Sequence, residues 1–198
     1  GDKIILSQNL GLRKTAYFLH ESEVLKSTIQ RDIFDYNIAA SSRLLRKYAS
    51  FSHAVEPSLG YTYIPMIKKD KSNLPLFDST EIYSKTSVIS LSVLNRIFDP
   101  KGEFFTLSVS ESYNSYGGDR PFSPISVAAA ILRPISLRGD TSYNTYSGRL
   151  ESVNSDSSLS SGNIAFSLGE RYNRINETMF FALGASIKPP RGFSADTS

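Results

Sequence analysis

The chain has 198 residues and a formal net charge of +3, from 22 Lys+Arg against 19 Asp+Glu. It has no cysteine and two histidines, which excludes a disulfide scaffold, thiol catalysis, a thiolate metal site and a His-rich one. Hydrophobic residues make up 40%, with no run of about 18 apolar residues to form a membrane helix; a membrane barrel stays open, since its strands are only half apolar.

Period 2 dominates from the start. Leu10, Leu12, Ala16 and Phe18 share one face of the first segment, interrupted by Lys14, and Asn9, Gly11, Arg13, Thr15 and Tyr17 share the other. Next, Phe34, Tyr36, Ile38, Ala40 and Leu44 alternate with Asp35, Asn37, Ala39, Ser41 and Arg43. The third segment sets Phe51, His53, Val55, Pro57, Leu59, Tyr61 and Tyr63 against Ser52, Ala54, Glu56, Ser58, Gly60 and Thr62. Pro57 lacks a donor and so belongs at a bulge, an edge or a missing ladder bond; Pro65 ends the run.

Residues 65–85 form a long inter-strand loop without period, of a length that is often functional. Lys68, Lys69 and Lys71 cluster there around Asp70. They read first as a solvated tip, and as a lipid-phosphate contact if the loop lies near a membrane surface. The rest of the basic residues are scattered and make no nucleic-acid stripe.

Alternation resumes at Ile89, Leu91 and Val93. A turn at Asp99-Pro100-Lys101-Gly102 leads to Phe105, Leu107 and Val109, and Gly117-Gly118-Asp119 marks another turn. Ile125 to Leu132 is unusually apolar, and Arg133-Pro134 bends or interrupts it. Ile135, Leu137, Thr141 and Tyr143 oppose Ser136, Arg138, Asp140 and Asn144, with a turn candidate at 144–148. A weak strand is expected at 150–153, loop at 154–158, strand through Ile164, Phe166 and Leu168, a polar link over 171–177, and a last strand through Met179, Phe181, Leu183, Ala185 and Ile187 before Pro189-Pro190.

This gives about nine or ten antiparallel strands and no helix. The strands exceed the roughly five or six residues usual in soluble sheets. One face is apolar. The other is rich in small polar residues, among the 33 serines of the chain. A membrane barrel with a polar lumen fits this, and so does a soluble sheet with one wet face. Strand length and the tyrosines beside Pro65 favour the membrane.

No catalytic site assembles. His53 and Glu56 are three apart and point to opposite faces of a strand, as do Asp32 and Asp35. His20-Glu21 reads as a solvated turn. Asp119, Asp156 and Asp196 lack calcium spacing, and no nucleophile elbow frames any serine. Asp35, Arg43, Glu56, Arg138 and Asp140 have polar-face parity, so they form a charged lumenal network or face bulk water.

Three stretches carry a resemblance. Phe51-Ser-His-Ala-Val-Glu-Pro-Ser-Leu-Gly-Tyr-Thr-Tyr-Ile-Pro65 holds a His-x-x-Glu-Pro element followed by Tyr-x-Tyr-x-Pro. Leu76-Phe-Asp-Ser-Thr80 brings Asp78-Ser79 after the long loop, and Ser90-Leu-Ser-Val-Leu-Asn-Arg96 ends in Asn95-Arg96. In this order they resemble the LptD family of lipopolysaccharide-assembly proteins, also called organic solvent tolerance proteins.

The resemblance implies a periplasmic jelly roll followed by a barrel of about 26 strands in the outer membrane of a Gram-negative bacterium. An LptE-like lipoprotein plugs the barrel, and lipopolysaccharide arrives over a periplasmic bridge through the N-terminal domain and leaves between the first and last strands. It implies transport without covalent chemistry, cofactor or metal. Residues 1–198 would then be a partial barrel domain, a middle portion of about a third, truncated at both ends. His53, Glu56 and Pro57 carry over as a structural motif that sets strand geometry and packs to the plug or a folded-in loop. Tyr61, Tyr63, Pro65, Asp78, Ser79, Asn95 and Arg96 carry over with it. The open alternatives are another outer-membrane channel and a soluble β-sandwich binding module. The sandwich predicts an apolar face buried under a second sheet.

Overall fold

The computed structural model describes residues 3–18, 28–65, 85–187 and 195–197. His20-Glu21, Lys68, Lys69, Lys71 and Asp78-Ser79 lie outside them. The described residues form one antiparallel sheet without helix. Its strands are β1 (Ile4–Phe18), β2 (Thr28–Ser42), β3 (Leu44–Lys47), β4 (Ser52–Ile64), β5 (Thr86–Asp99), β6 (Gly102–Asn114), β7 (Ile125–Ile131), β8 (Ser136–Asn144), β9 (Arg149–Ser161), β10 (Ile164–Asn173), β11 (Thr178–Ile187) and β12 (Ala195–Thr197). Each pairs with the next in sequence, except that β2 and β3 share β4 as neighbour. The sheet does not close: β1 and β12 are its two ends.

The alternation read from the sequence sorts the side chains. Directly opposed residues lie on one face, so the row His53, Ile97, Phe105, Ile131, Leu137, Ser157, Leu168 and Leu183 crosses eight strands. The neighbouring row on the other face runs Ala54, Arg96, Thr106, Ala130 and Arg138. A ladder this regular keeps one face apolar across the sheet.

That apolar face is uncovered. Leu59 is 51% exposed, Leu91 55%, Phe166 58% and Leu183 75%. No second sheet lies over it among the described residues, whereas the soluble sandwich expects one. The polar face is the more crowded one in places, while Ile5, Leu45 and Phe180 of the same parity are exposed. Among the described residues the two buried hydrophobic ones, Ile33 and Ala54, both have its parity. A Cβ on Gly60 would sit 2.6 Å from Ser90 Oγ, and one on Gly184 2.5 Å from Ser167 Oγ. Close approach of small residues on the polar face is what a sheet curved toward that side produces.

The two ends of the strands differ. One end carries tight turns at 48–51, 100–101, 132–135 and 162–163. Two of these use glycine at positive φ: Gly102 at 114° and Gly162 at 58°. The other end carries the longer connection 115–124 and short turns at 145–148 and 174–177; residues 19–27 and 66–84, which join β1 to β2 and β4 to β5, lie outside the described residues.

Three expectations need correction. The described residues form twelve strands, not nine or ten, because the short β3 and β12 join the sheet. Residues 154–158 belong to the 13-residue β9, and Arg171 to Asn173 to β10. Their Ser, Asn, Asp and Arg composition reads as loop, yet β9 is laddered to both β8 and β10, and pairing on two sides overrides a weak local preference.

Candidate functional site

The His-x-x-Glu-Pro element sits at a break in the sheet. β4 pairs with β5 along its whole length, Ser52 to Ile64. On its other side β2 covers Ser58 to Tyr63 and β3 covers Ser52 to Val55, so Glu56 and Pro57 have no partner there. The break in the neighbouring chain falls at Arg43, between Ser42 and Leu44. Pro57 offers no N–H, so an unbroken ladder would leave an acceptor without a donor at this point.

Side chains bridge the break on the polar face. Arg43 Nε lies 3.1 Å from Glu56 Oε1, and Arg96 Nη1 lies 3.7 Å from the same oxygen. Arg96 also donates to both oxygens of Glu103, from Nε at 3.3 Å and Nη2 at 2.8 Å. The guanidinium groups of Arg43 and Arg96 stand 5.9 and 5.6 Å from the centre of the Phe98 ring. The result is an alternating chain, Arg43–Glu56–Arg96–Glu103, spanning the β3 break, β4, β5 and β6. A register shift between Ile97 and Phe98 brings Glu103 opposite Phe98 and into reach of Arg96.

Further polar contacts lie on the same face. Arg171 makes a two-pronged contact with Asp156 at 2.8 and 2.7 Å. Asn154 donates to Asp140 at 2.7 Å, and Thr62 to Asn37 at 2.8 Å. At the tight-turn end Arg133 Nη2 donates to Asp99 at 2.9 Å and to the carbonyls of Gly102 and Glu103 at 2.8 and 3.0 Å, tying two turns together. Bonds of this kind hold neighbouring side chains of the polar face in one arrangement. Among the described residues no cluster of His, Asp or Glu has the grouping of a metal centre.

Aromatic rings collect at both ends of the apolar face. Tyr61 and Tyr63 stack at 6.4 Å, and Tyr113 meets Phe122 edge-on at 5.1 Å, all toward the longer loops. Phe122 N donates to Tyr146 OH at 2.8 Å, and Lys85 lies 3.8 Å over the Tyr116 ring. At the tight-turn end Tyr48 stacks on Phe51 at 4.4 Å.

Residues 4–178 match the sequence family described as LptD, LPS transport system D. The chain belongs to the LptD family. LptD is a component of lipopolysaccharide transport, so the cargo class is lipopolysaccharide and the family's role is transport rather than catalysis. No curated protein matches the chain.

Within this LptD sheet the motif residues divide by face. His53 has apolar-face parity, and its Nε2 lies 3.3 Å from Asn95 Oδ1. Glu56 and Arg96 meet on the polar face. Tyr61 and Tyr63 mark the loop-side end of β4, with Tyr61 OH 3.3 Å from Ser87 Oγ, and Pro65 follows the strand. The polar-face parity of Arg43 and Glu56 becomes an ion pair, whereas the pairings Arg96–Glu103, Asp99–Arg133 and Arg171–Asp156 are not indicated by the sequence pattern. Arg96 and Glu103 flank a recognisable turn, but the register shift that joins them is not visible in composition or period.

Proposed function

We propose that this chain is a stretch of outer-membrane barrel wall, residues 1–198 with 65–85 as a long loop, in the translocon that inserts lipopolysaccharide into the outer leaflet. The observation that carries this reading is the uncovered apolar face, bounded by aromatic rings, on a long-stranded sheet whose other face is polar and in places crowded. Its height also fits. From His53 to Tyr63 is ten residue steps, about 33 Å of strand, or about 25 Å at the tilt of roughly 40° usual in such barrels. The tight turns then face the periplasm and the longer loops the exterior.

On this reading the polar face lines the lumen. Its paired charges give cargo and an LptE-like lipoprotein plug a hydrated, non-adhesive wall, and no bond is made or broken there. The open ends of the sheet continue into further strands, and the cargo reaches the barrel from a periplasmic bridge. Photo-crosslinking residues placed in the whole protein in cells, at Leu91 on the apolar face and Ser92 on the polar face, test this. Ser92 is expected to capture lipoprotein or lipopolysaccharide, and Leu91 only membrane lipid. Protein captured from Leu91, with none from Ser92, would invert the assignment.

Lys68, Lys69 and Lys71 are proposed to touch lipopolysaccharide phosphates from the exterior loop. Replacing all three with Gln and measuring lipopolysaccharide arrival at the cell surface checks it; unchanged delivery removes the contact.

A further inference from the structure

One polar patch on the apolar face has no use in transport through the lumen. Arg46 of β3 lies directly opposite His53, and His53 directly opposite Ile97, so all three share the apolar face. The Arg46 guanidinium stands 5.2 Å over the Tyr48 ring, itself stacked on Phe51 at 4.4 Å. Across His53, the Nε2–Asn95 Oδ1 contact at 3.3 Å leaves the Asn95 amide N–H groups to donate elsewhere. Arg43, Arg96, Arg133 and Arg171 each hold a carboxylate. Arg46 is exposed, and among the described residues no carboxylate lies within ion-pair distance of it.

The surroundings decide what such a cation would meet. Leu44 and Val55 continue its face toward the middle of the sheet, and Ile97 and Phe105 continue the His53 row. A ligand here needs an anionic head at Arg46 and an apolar body along these side chains. A free anion satisfies only the first requirement. Guanidinium matches phosphate oxygens in pairs, and aromatic rings hold the headgroup level.

The geometry points to a binding site for the headgroup phosphate of an anionic phospholipid at the tight-turn rim. Arg46 and Asn95 supply donors, His53 engages the Asn95 amide oxygen, and Tyr48 and Phe51 form an apolar shelf. The site rests on the membrane assignment above and places the lipid in the leaflet opposite the exterior loops. His53 thereby gains a role facing lipid, while Glu56, three residues on, faces the lumen.

The test uses the purified whole protein in detergent, titrated with phosphatidylglycerol, with retained lipid counted by native mass spectrometry. Arg46→Gln is expected to weaken retention about fivefold, the effect of one cation near a headgroup. Arg46→Lys keeps most of it, and Arg120→Gln, in an exposed loop, leaves it unchanged. A melting curve that matches the parent shows that the Arg46→Gln fold is intact. Equal retention by Arg46→Gln and the parent overturns the site. So does an equal loss in Arg120→Gln, or displacement of the lipid by inorganic phosphate at matched concentration. Lipid capture from Leu91 together with unchanged retention in Arg46→Gln removes this site alone; protein capture from Leu91 removes the membrane assignment beneath it.

Discussion

Arg96 is the centre of the polar-face chain, and its removal is the most informative perturbation. Arg96→Gln deletes two charge-assisted bonds to Glu103, the longer contact to Glu56 and the stacking on Phe98. Its side chain is 32% exposed and that of Glu103 21%, so solvent screens the pair only in part. A loss of about 2 kcal/mol follows, near the middle of the range for bonds to charged groups. Arg43, at 54% exposure and with a single contact to Glu56, should cost only a few tenths of a kcal/mol on replacement by Gln. Glu56→Gln falls between, at about 1 kcal/mol. The measurement is equilibrium unfolding of the whole protein, with a double-mutant cycle for Arg96 and Glu103 whose expected coupling is about 1 kcal/mol. A coupling within error of zero, or an Arg43→Gln loss equal to that of Arg96→Gln, would show that the chain of charges does not hold the break together.

Three further outcomes follow from the sheet. Pro57→Ala should change stability by less than about 1 kcal/mol, because no ladder bond is lost, whereas Val93→Pro, laddered to both β4 and β6, should cost about 3 kcal/mol or more; urea midpoints compare them. Gly60→Val should destabilise by about 1–2 kcal/mol through the Ser90 hydroxyl, and Ser90→Gly in the same chain should recover most of it. Leu91→Arg should cost about 2–4 kcal/mol in bilayers and Ser92→Arg less than about 1, as lipid-facing and lumen-facing positions differ in a barrel; equal costs in vesicle-based unfolding would contradict the facing.

The long, clean alternations of β2, β4, β5, β6 and β11 are legible because Phe, Leu, Ile and Tyr return every second residue. The strand-end tyrosines and the donorless Pro57 are legible for equally local reasons. β9 is not: five of its thirteen residues over 154–158 are Asn, Ser or Asp, and they are strand only because β8 and β10 supply partners on both sides. The division between β2 and β3 is likewise invisible in residues 42–44, since its cause is a proline on the next strand. In the candidate site, parity alone assigns Glu56 and Arg43 to one face. The link from Arg96 to Glu103 depends on a one-step register shift, which no spacing rule reveals.

Every strand in this sheet touches only the strands beside it along the chain, apart from β4 reaching back past β3 to β2. The sheet is therefore written in the order in which it is read. A hairpin can be laid against the growing edge as soon as its two strands are available, without waiting for a distant segment to return. Such a wall can be lengthened or shortened by whole hairpins during evolution. Its width then changes while the facing of every residue already in place is preserved.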